Sequence, residues 1–233
     1  MNAHSITRIA GLIGEAGRIQ MLTAMLDGKS HSASELALAA RVSPQTASSH
    51  LAKLVAGKLI VPERQGRQRL FRIQSTDVAV AIEALGALAH NSSVPAMPEI
   101  RFARTCYDHL AGVLSIAVRN ELLRRDALRQ HGDTFLLTPA GEGFLRTLGI
   151  EVEPLRELRR SFARKCLDWT ERHHHVGGAV GAALLSSFLQ KKWLAHARGS
   201  RAVRLTHEGE RAFERVFGIR PAALRVHSRE TAA

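Results

Sequence analysis

Val42-Ser43-Pro44-Gln45-Thr46-Ala47-Ser48-Ser49-His50-Leu51-Ala52-Lys53-Leu54 is the stretch on which the reading of this chain turns. Ser43 is a favoured N-cap type, and Pro44 follows at the first helical position, where a missing N–H costs nothing. Ala47, Leu51 and Leu54 recur at helical spacing and form one apolar stripe. Off that stripe lie Gln45, Thr46, Ser48, Ser49, His50 and Lys53. A helix that packs on one side and presents small polar groups on the other suits the major groove of duplex DNA. Gln pairs with adenine, Ser and Thr donate or accept, and Lys reaches a phosphate.

The flanks fit the same plan. Upstream, Ile19, Leu22, Met25 and Leu26 predict a helix that Asp27-Gly28 closes. Ser32 or Ser34 caps the next, which carries Glu35, Leu36 and Ala40. Downstream, Leu59-Ile60-Val61 and Leu70-Phe71-Arg72-Ile73 read as strands joined at Gly66. The hairpin gathers Arg64, Arg67, Arg69 and Arg72 into a basic wing suited to the DNA backbone or minor groove. Asp77 to His90 predicts a last helix, apolar along Val80, Leu85 and Leu88.

Together these residues resemble the ArsR family of winged-helix repressors. The likeness runs through Glu35-Leu36, Val42 to Leu51, Leu54, Gly57-Lys58-Leu59-Ile60-Val61 and Gly66-Arg67 to Phe71. It implies a homodimer that reads a pseudo-palindromic operator and is released by an effector. It also implies a dimer interface around Ile9 to Ile13 and Asp77 to His90. The thiols that many relatives carry on the helix before the recognition helix are missing from Glu35 to Arg41. The Asp and His pairs others use on the last helix are incomplete, since Ala79 stands where a second ligand is needed.

The whole chain has 233 residues, 45% of them hydrophobic, and a formal charge of +12. That composition is globular, not disordered, and its basicity points to a polyanionic partner. No run approaches the ~20 apolar residues of a membrane helix. Met1 to Arg8 does not read as a secretion leader, so a cytoplasmic protein is expected. The expected organisation is a DNA-binding and dimerisation domain at 1–90, a linker at 91–98, a C-terminal domain at 99–225 and a polar tail at 226–233.

The C-terminal half carries an internal repeat, about 99–150 and 154–219. Phe102-Ala103-Arg104-Thr105-Cys106-Tyr107-Asp108 matches Phe162-Ala163-Arg164-Lys165-Cys166-Leu167-Asp168. His109-Leu110-Ala111-Gly112 matches His175-Val176-Gly177-Gly178, and Leu137-Thr138-Pro139-Ala140-Gly141 matches Leu205-Thr206-His207-Glu208-Gly209. Each copy closes on Leu148-Gly149-Ile150 or Phe217-Gly218-Ile219. Each reads as helix, helix, short strand, helix, with Thr138 and Thr206 as caps. Two copies point to duplication about a pseudo-twofold axis. The expected fold is therefore mainly α: a winged helix-turn-helix followed by a helical domain of two winged-helix-like repeats.

Placed on helices, Phe102, Cys106 and His109 share a face, as do Phe162, Cys166 and Trp169. Arg104 and Arg164 then pair with Asp108 and Asp168 four residues on. Nearby cations, Lys165 included, favour thiolate where the sulfur is accessible. Two readings stand. The cysteines are small core hydrophobes, or they form an effector site that oxidises or binds a soft metal or metalloid with His109 or His175. Under the second reading the candidates are Cys106, Asp108, His109, Cys166, Asp168 and His175. His173-His174-His175 cannot all face one site on a helix, and Gly177, Gly178 and Gly181 lack the context of a phosphate loop. No hydrolase, zinc-protease, P-loop or dinucleotide signature appears, so no enzyme is expected. The sequence thus predicts a DNA-binding regulator, the alternative being a winged helix used for protein or ligand contact.

Overall fold

The structure is a computed structural model that describes residues 3–66, 68–89, 98–197 and 200–230. The chain divides into two compact units, 1–83 and 84–233. Among the described residues, no helix is long and apolar enough to cross a membrane.

In the first unit, α1 (Ala3–Ile13) leads into α2 (Ala16–Ala24), whose N-terminus is capped by the Glu15 carboxylate. A 3-10 turn, Met25–Asp27, ends on Gly28 in the left-handed region, where a side chain would be strained. Strand β1 (His31–Ser32) follows. Ser32 then caps α3 (Ala33–Ala40) in a full capping box with Glu35. Ser43 caps α4 (Pro44–Ala56), accepting from the Thr46 N–H at 3.1 Å. Strands β2 (Ile60–Gln65) and β3 (Gln68–Ile73) form the wing, and the sheet order is β1-β3-β2. Helix α5 (Thr76–Ala89) crosses the border between the units. Met21, Leu22, Leu36, Leu51, Leu54, Ile60 and Ile73 are buried beneath these elements, each such burial contributing ~1.5–3 kcal/mol. Of the expected linker, residues 91–97 lie outside the described residues.

The second unit opens with α6 (Pro98–Phe102). It continues through β4 (Arg104–Cys106), β5 (His109–Ala111), α7 (Val113–Arg124), β6 (Leu128–His131), β7 (Thr134–Leu137) and α8 (Pro139–Thr147). A short α9 (Glu153–Arg156) separates these from β8 (Arg164–Leu167), β9 (His174–Gly177), α10 (Gly178–Gln190), β10 (Leu194–His196), β11 (Val203–Leu205) and α11 (His207–Phe217). Last comes α12 (Pro221–Glu230), which carries helix into residues expected to be tail. Each half thus runs hairpin, helix, hairpin, helix.

This corrects the expected order of helix, helix, strand, helix: the two Cys segments are hairpins. All three residues of β4 and of β5 are buried, so neither shows the alternation that marks a strand. The pairings are reciprocal. The β6–β7 hairpin joins β8–β9 through Thr134 and Arg164, in a sheet ordered β6-β7-β8-β9. The β10–β11 hairpin meets β4–β5 through the bridge of Arg104 with Ala202. Thr138 and Thr206 cap α8 and α11, each accepting from a glycine N–H, at 3.0 and 2.9 Å. Gly112 and Gly178 precede or open α7 and α10 with φ of 92° and 78°. A Cβ at either would also strike a backbone carbonyl, of Arg101 or Ser161, at 2.6 or 2.5 Å. One core joins the two halves, with Phe188 packed edge-on to Phe213 and Phe217 and stacked on Trp193.

Candidate nucleic-acid interface and a buried cysteine–histidine cluster

On α4, Ala47, Leu51 and Leu54 face the core while Gln45, Thr46, Ser48, Ser49 and Lys53 are exposed. Two of the exposed hydroxyls have local partners. Ser43 Oγ lies 2.9 Å from Thr46 Oγ1, and Ser48 Oγ donates to the Pro44 carbonyl at 2.9 Å. His50 leaves this row. Its Nε2 lies 3.3 Å from Glu15 Oε2 and its side chain is only 12% exposed. The histidine expected among the DNA-reading residues thus ties α4 to the start of α2.

In the wing, Arg64 and Arg69 are direct cross-strand partners on exposed positions, so two like charges sit side by side. Such a pair is unfavourable by itself and fits a polyanion laid across it. Arg69 also lies over the Phe71 ring, 5.2 Å from its centroid. Arg72 departs from the expected cluster: it is opposite Val61 and ion-paired with Glu63. Arg67 lies outside the described residues.

The six effector candidates converge. Cys106 and His109 are partners across the β4–β5 hairpin, and Cys166 and His175 across β8–β9. The Sγ atoms of Cys106 and Cys166 are 3.8 Å apart, and no disulfide joins them. The Nε2 atoms of His109 and His175 are 3.1 Å apart. One donor atom from each of the four side chains lies within 4.8 Å of all the others, and all four residues are buried. The sulfurs are therefore not the accessible thiols on a helix face that the repeat suggests, and Lys165 lies over the Phe135 ring instead.

A carboxylate stands behind each imidazole. Asp108 Oδ1 is 3.2 Å from His109 Nδ1, and Asp168 Oδ2 is 3.5 Å from His175 Nδ1. Only the first is a hydrogen bond, and His175 Nδ1 has no hydrogen-bond partner. The expected Arg–Asp pairs four residues apart are replaced by pairs across the halves. Arg104, fully buried, donates to Asp168 Oδ1 at 3.0 Å, and Arg160 donates to Asp108 Oδ2 at 2.5 Å. Strand geometry explains this: residues four apart on a hairpin do not share a helix face. Asp168 also accepts from the Gly112 N–H at 2.6 Å and from Thr170 N and Oγ1.

Burial pushes both carboxyl pKa values up. The neighbouring groups outweigh it: for Asp108 the bonds from His109 and Arg160, and for Asp168 the Arg104 charge and then His175. Both groups are held below the ordinary carboxylate range. Burial alone would lower His109, but the Cys106 sulfur and Asp108 outweigh it and push the imidazole up to about 9. Sequence reasoning missed Arg160, because nothing local marks a partner fifty-two residues away.

A capped, exposed polar helix beside a basic hairpin defines a winged helix-turn-helix. No family model matches the chain. YdfF of Bacillus subtilis (strain 168), an uncharacterized HTH-type transcriptional regulator, is 40% identical over 222 residues, spanning 93% of this chain and 98% of that protein. The chain belongs to the HTH-type transcriptional regulators. Among solved structures, the homodimeric winged helix-turn-helix domain of Mb0332 from Mycobacterium bovis, a possible ArsR-family regulator, is 26% identical. That match covers 37% of this chain and 79% of that one, with a TM-score of 0.34. HlyU of Vibrio cholerae N16961 is also 26% identical, over 37% of this chain and 94% of its own, with a TM-score of 0.35.

Proposed function

We propose that the chain is a homodimeric repressor of the ArsR type that binds a pseudo-palindromic operator and is released by an effector taken up in its duplicated C-terminal unit. The observation that carries this is α4: Ser43 and Pro44 fix its start, Leu51 and Leu54 anchor it, and Gln45, Thr46, Ser48, Ser49 and Lys53 are exposed. Gln45, Thr46, Ser48 and Ser49 read base edges, while Lys53, Arg64 and Arg69 hold phosphates. Dimerisation through α1 and α5 is supported by the apolar side chains these helices leave exposed. Ile6 is 52% and Leu88 72% exposed, and α1 buries no residue within the chain.

The test is duplex binding measured across a salt series, with the protein's mass followed by ultracentrifugation. Log affinity falls linearly with log salt, with a slope of about 0.9 per phosphate neutralised. A monomer, or a protein whose duplex binding ignores salt, overturns the reading.

A further inference from the structure

We infer that Cys106, His109, Cys166 and His175 form a closed, four-coordinate site for a divalent cation of the zinc class. The site goes beyond the DNA-binding reading and stands or falls separately from it.

The sulfur–sulfur and nitrogen–nitrogen distances match such an ion, and all four donor atoms lie within 4.8 Å of one another. Tetrahedral zinc with Zn–S of ~2.3 Å and Zn–N of ~2.0 Å holds its two sulfurs ~3.8 Å apart and its two nitrogens ~3.3 Å apart. The corresponding separations here are 3.8 Å for sulfur and 3.1 Å for nitrogen. Each half of the unit supplies one thiol and one imidazole from facing positions of a hairpin.

The chemistry agrees with the geometry. Two soft thiolates and two imidazoles select zinc, cadmium or cobalt over magnesium and calcium, which require oxygen. Binding the cation displaces the thiol protons, and that of His109 where its imidazole is charged, and two thiolates with two neutral imidazoles and one divalent ion leave a site of zero net charge. That balance is what a buried site needs, since an uncompensated charge there is costly. A disulfide accounts for less of the site. It would draw the sulfurs to about 2.05 Å and leave the two imidazoles only the hydrogen bond between their own Nε2 atoms, 3.1 Å apart.

The surroundings are those of metal-binding histidines. A ligating imidazole ordinarily has a carboxylate or carbonyl behind its other nitrogen, which fixes the tautomer and aims the lone pair. Here Asp108 stands behind His109 and Asp168 behind His175, each fastened by an arginine from the other half. His175 Nδ1 is buried and unpartnered 3.5 Å from Asp168, within reach of it after a small rotation of the ring. With four protein ligands the site has no position for a substrate, so it holds an ion and does no chemistry on a bound molecule.

The test uses the full-length chain, stripped with chelator under reducing conditions and titrated with cobalt(II) and then zinc(II) alone. One cobalt ion binds per chain with the strong visible absorption of a tetrahedral ion and the ultraviolet charge-transfer band of thiolate ligands. Zinc displaces it mole for mole. Cys106→Ser, Cys166→Ser, His109→Gln and His175→Gln each weaken binding at least tenfold, and Asp108→Asn weakens it about 10–100-fold. If these variants do not fold, the wild type decides: zinc slows labelling of both cysteines by a thiol reagent, and chelator restores it. The proposal is overturned by failure to bind one ion per chain, or by cobalt bound without thiolate bands, as expected for the exposed His173 and His174. Labelling rates indifferent to zinc also overturn it. None of these readouts involves DNA, so a negative result here leaves the operator-binding reading intact.

Discussion

Asp168→Asn tests the account of the second unit at its most buried charge. The Asp168 carboxylate has no exposed surface and neither has Arg104, whose Nη2 donates to it at 3.0 Å. Its Oδ1 also accepts from Thr170 N at 2.9 Å, Thr170 Oγ1 at 2.7 Å and Glu171 N at 3.1 Å, while Oδ2 accepts from Gly112 N at 2.6 Å. Asparagine retains one acceptor oxygen. With that oxygen in the Oδ1 position, its NH2 group meets the Gly112 N–H, donor against donor. An unsatisfied buried group costs ~1–3 kcal/mol, and a buried ion pair stripped of one partner ~3–5 kcal/mol. The two costs overlap, so the expected loss is ~3–5 kcal/mol. At ~2–4 °C per kcal/mol for a unit of this size, the melting point falls by ~6–20 °C. The chain has two tryptophans, Trp169 and Trp193, and both lie in this unit, so their fluorescence follows its unfolding. Trp169 is a direct reporter, with the Arg104 guanidinium 4.6 Å from its ring centroid. Adding Arg104→Met to Asp168→Asn costs less than the two single changes summed, because each leaves the other's charge or donors stranded. A fall below ~3 °C for Asp168→Asn, or costs that add within ~0.5 kcal/mol, refutes the reasoning.

Three further outcomes concern the first unit. Ser43→Ala removes the cap of α4 and costs ~1 kcal/mol, whereas Leu54→Ala opens the core and costs ~2–5 kcal/mol, both read by amide exchange on α4. Arg64→Ala and Arg69→Ala each reduce the salt slope of duplex binding by about one without changing sequence preference, while Gln45→Ala costs ~1–3 kcal/mol at the preferred site and little on random DNA. His31 Nε2 donates to Asp27 Oδ1 at 2.8 Å, which raises the imidazole pKa against the effect of burial and, from the other side, lowers the carboxyl pKa although burial pushes it up. The His31 contribution to stability is therefore complete below the unfolded value of ~6.5 and lost as pH rises through the raised folded value. An NMR titration of His31 in the wild type has its midpoint above 6.5, and in Asp27→Asn the midpoint drops; equal midpoints would show that the pair does not couple.

The first unit was legible because its boundaries are written in local chemistry. Ser32 with Glu35, Ser43 with Pro44, and Gly28 and Gly66 at positive φ each act within a few residues. Their signals therefore survive in the sequence without knowledge of the fold. Strand β1 did not show. It is two residues long and exists only because His31 and Ser32 pair with Phe71 and Leu70, some forty positions away. The inward turn of His50 was hidden for the same reason, since Glu15 is remote in sequence.

The cysteine cluster shows how a wrong local reading can sit beside a useful global one. The Phe-Ala-Arg-x-Cys-x-Asp segments look helical because their chemistry recurs every four residues, yet they fold as hairpins, and both strands of the first are buried throughout. Alternation fails there because Arg104 is as buried as Cys106, its charge neutralised by Asp168 and not by water. What the repeat carried did not depend on secondary structure. If two copies pack about a twofold axis, a residue beside that axis meets its own counterpart, whatever backbone presents it. Cys106 against Cys166 and His109 against His175 are such like-to-like contacts. Farther from these contacts the correspondence loosens. Asp168 is held by Arg104, but Asp108 is held by Arg160 and not by Arg104's counterpart, Arg164. The Arg104–Asp168 pair is fully buried, so its geometry is set by the packing around it, whereas Arg160 and Asp108 are partly exposed, and an arginine reaching in from a loop outside either hairpin can hold that carboxylate.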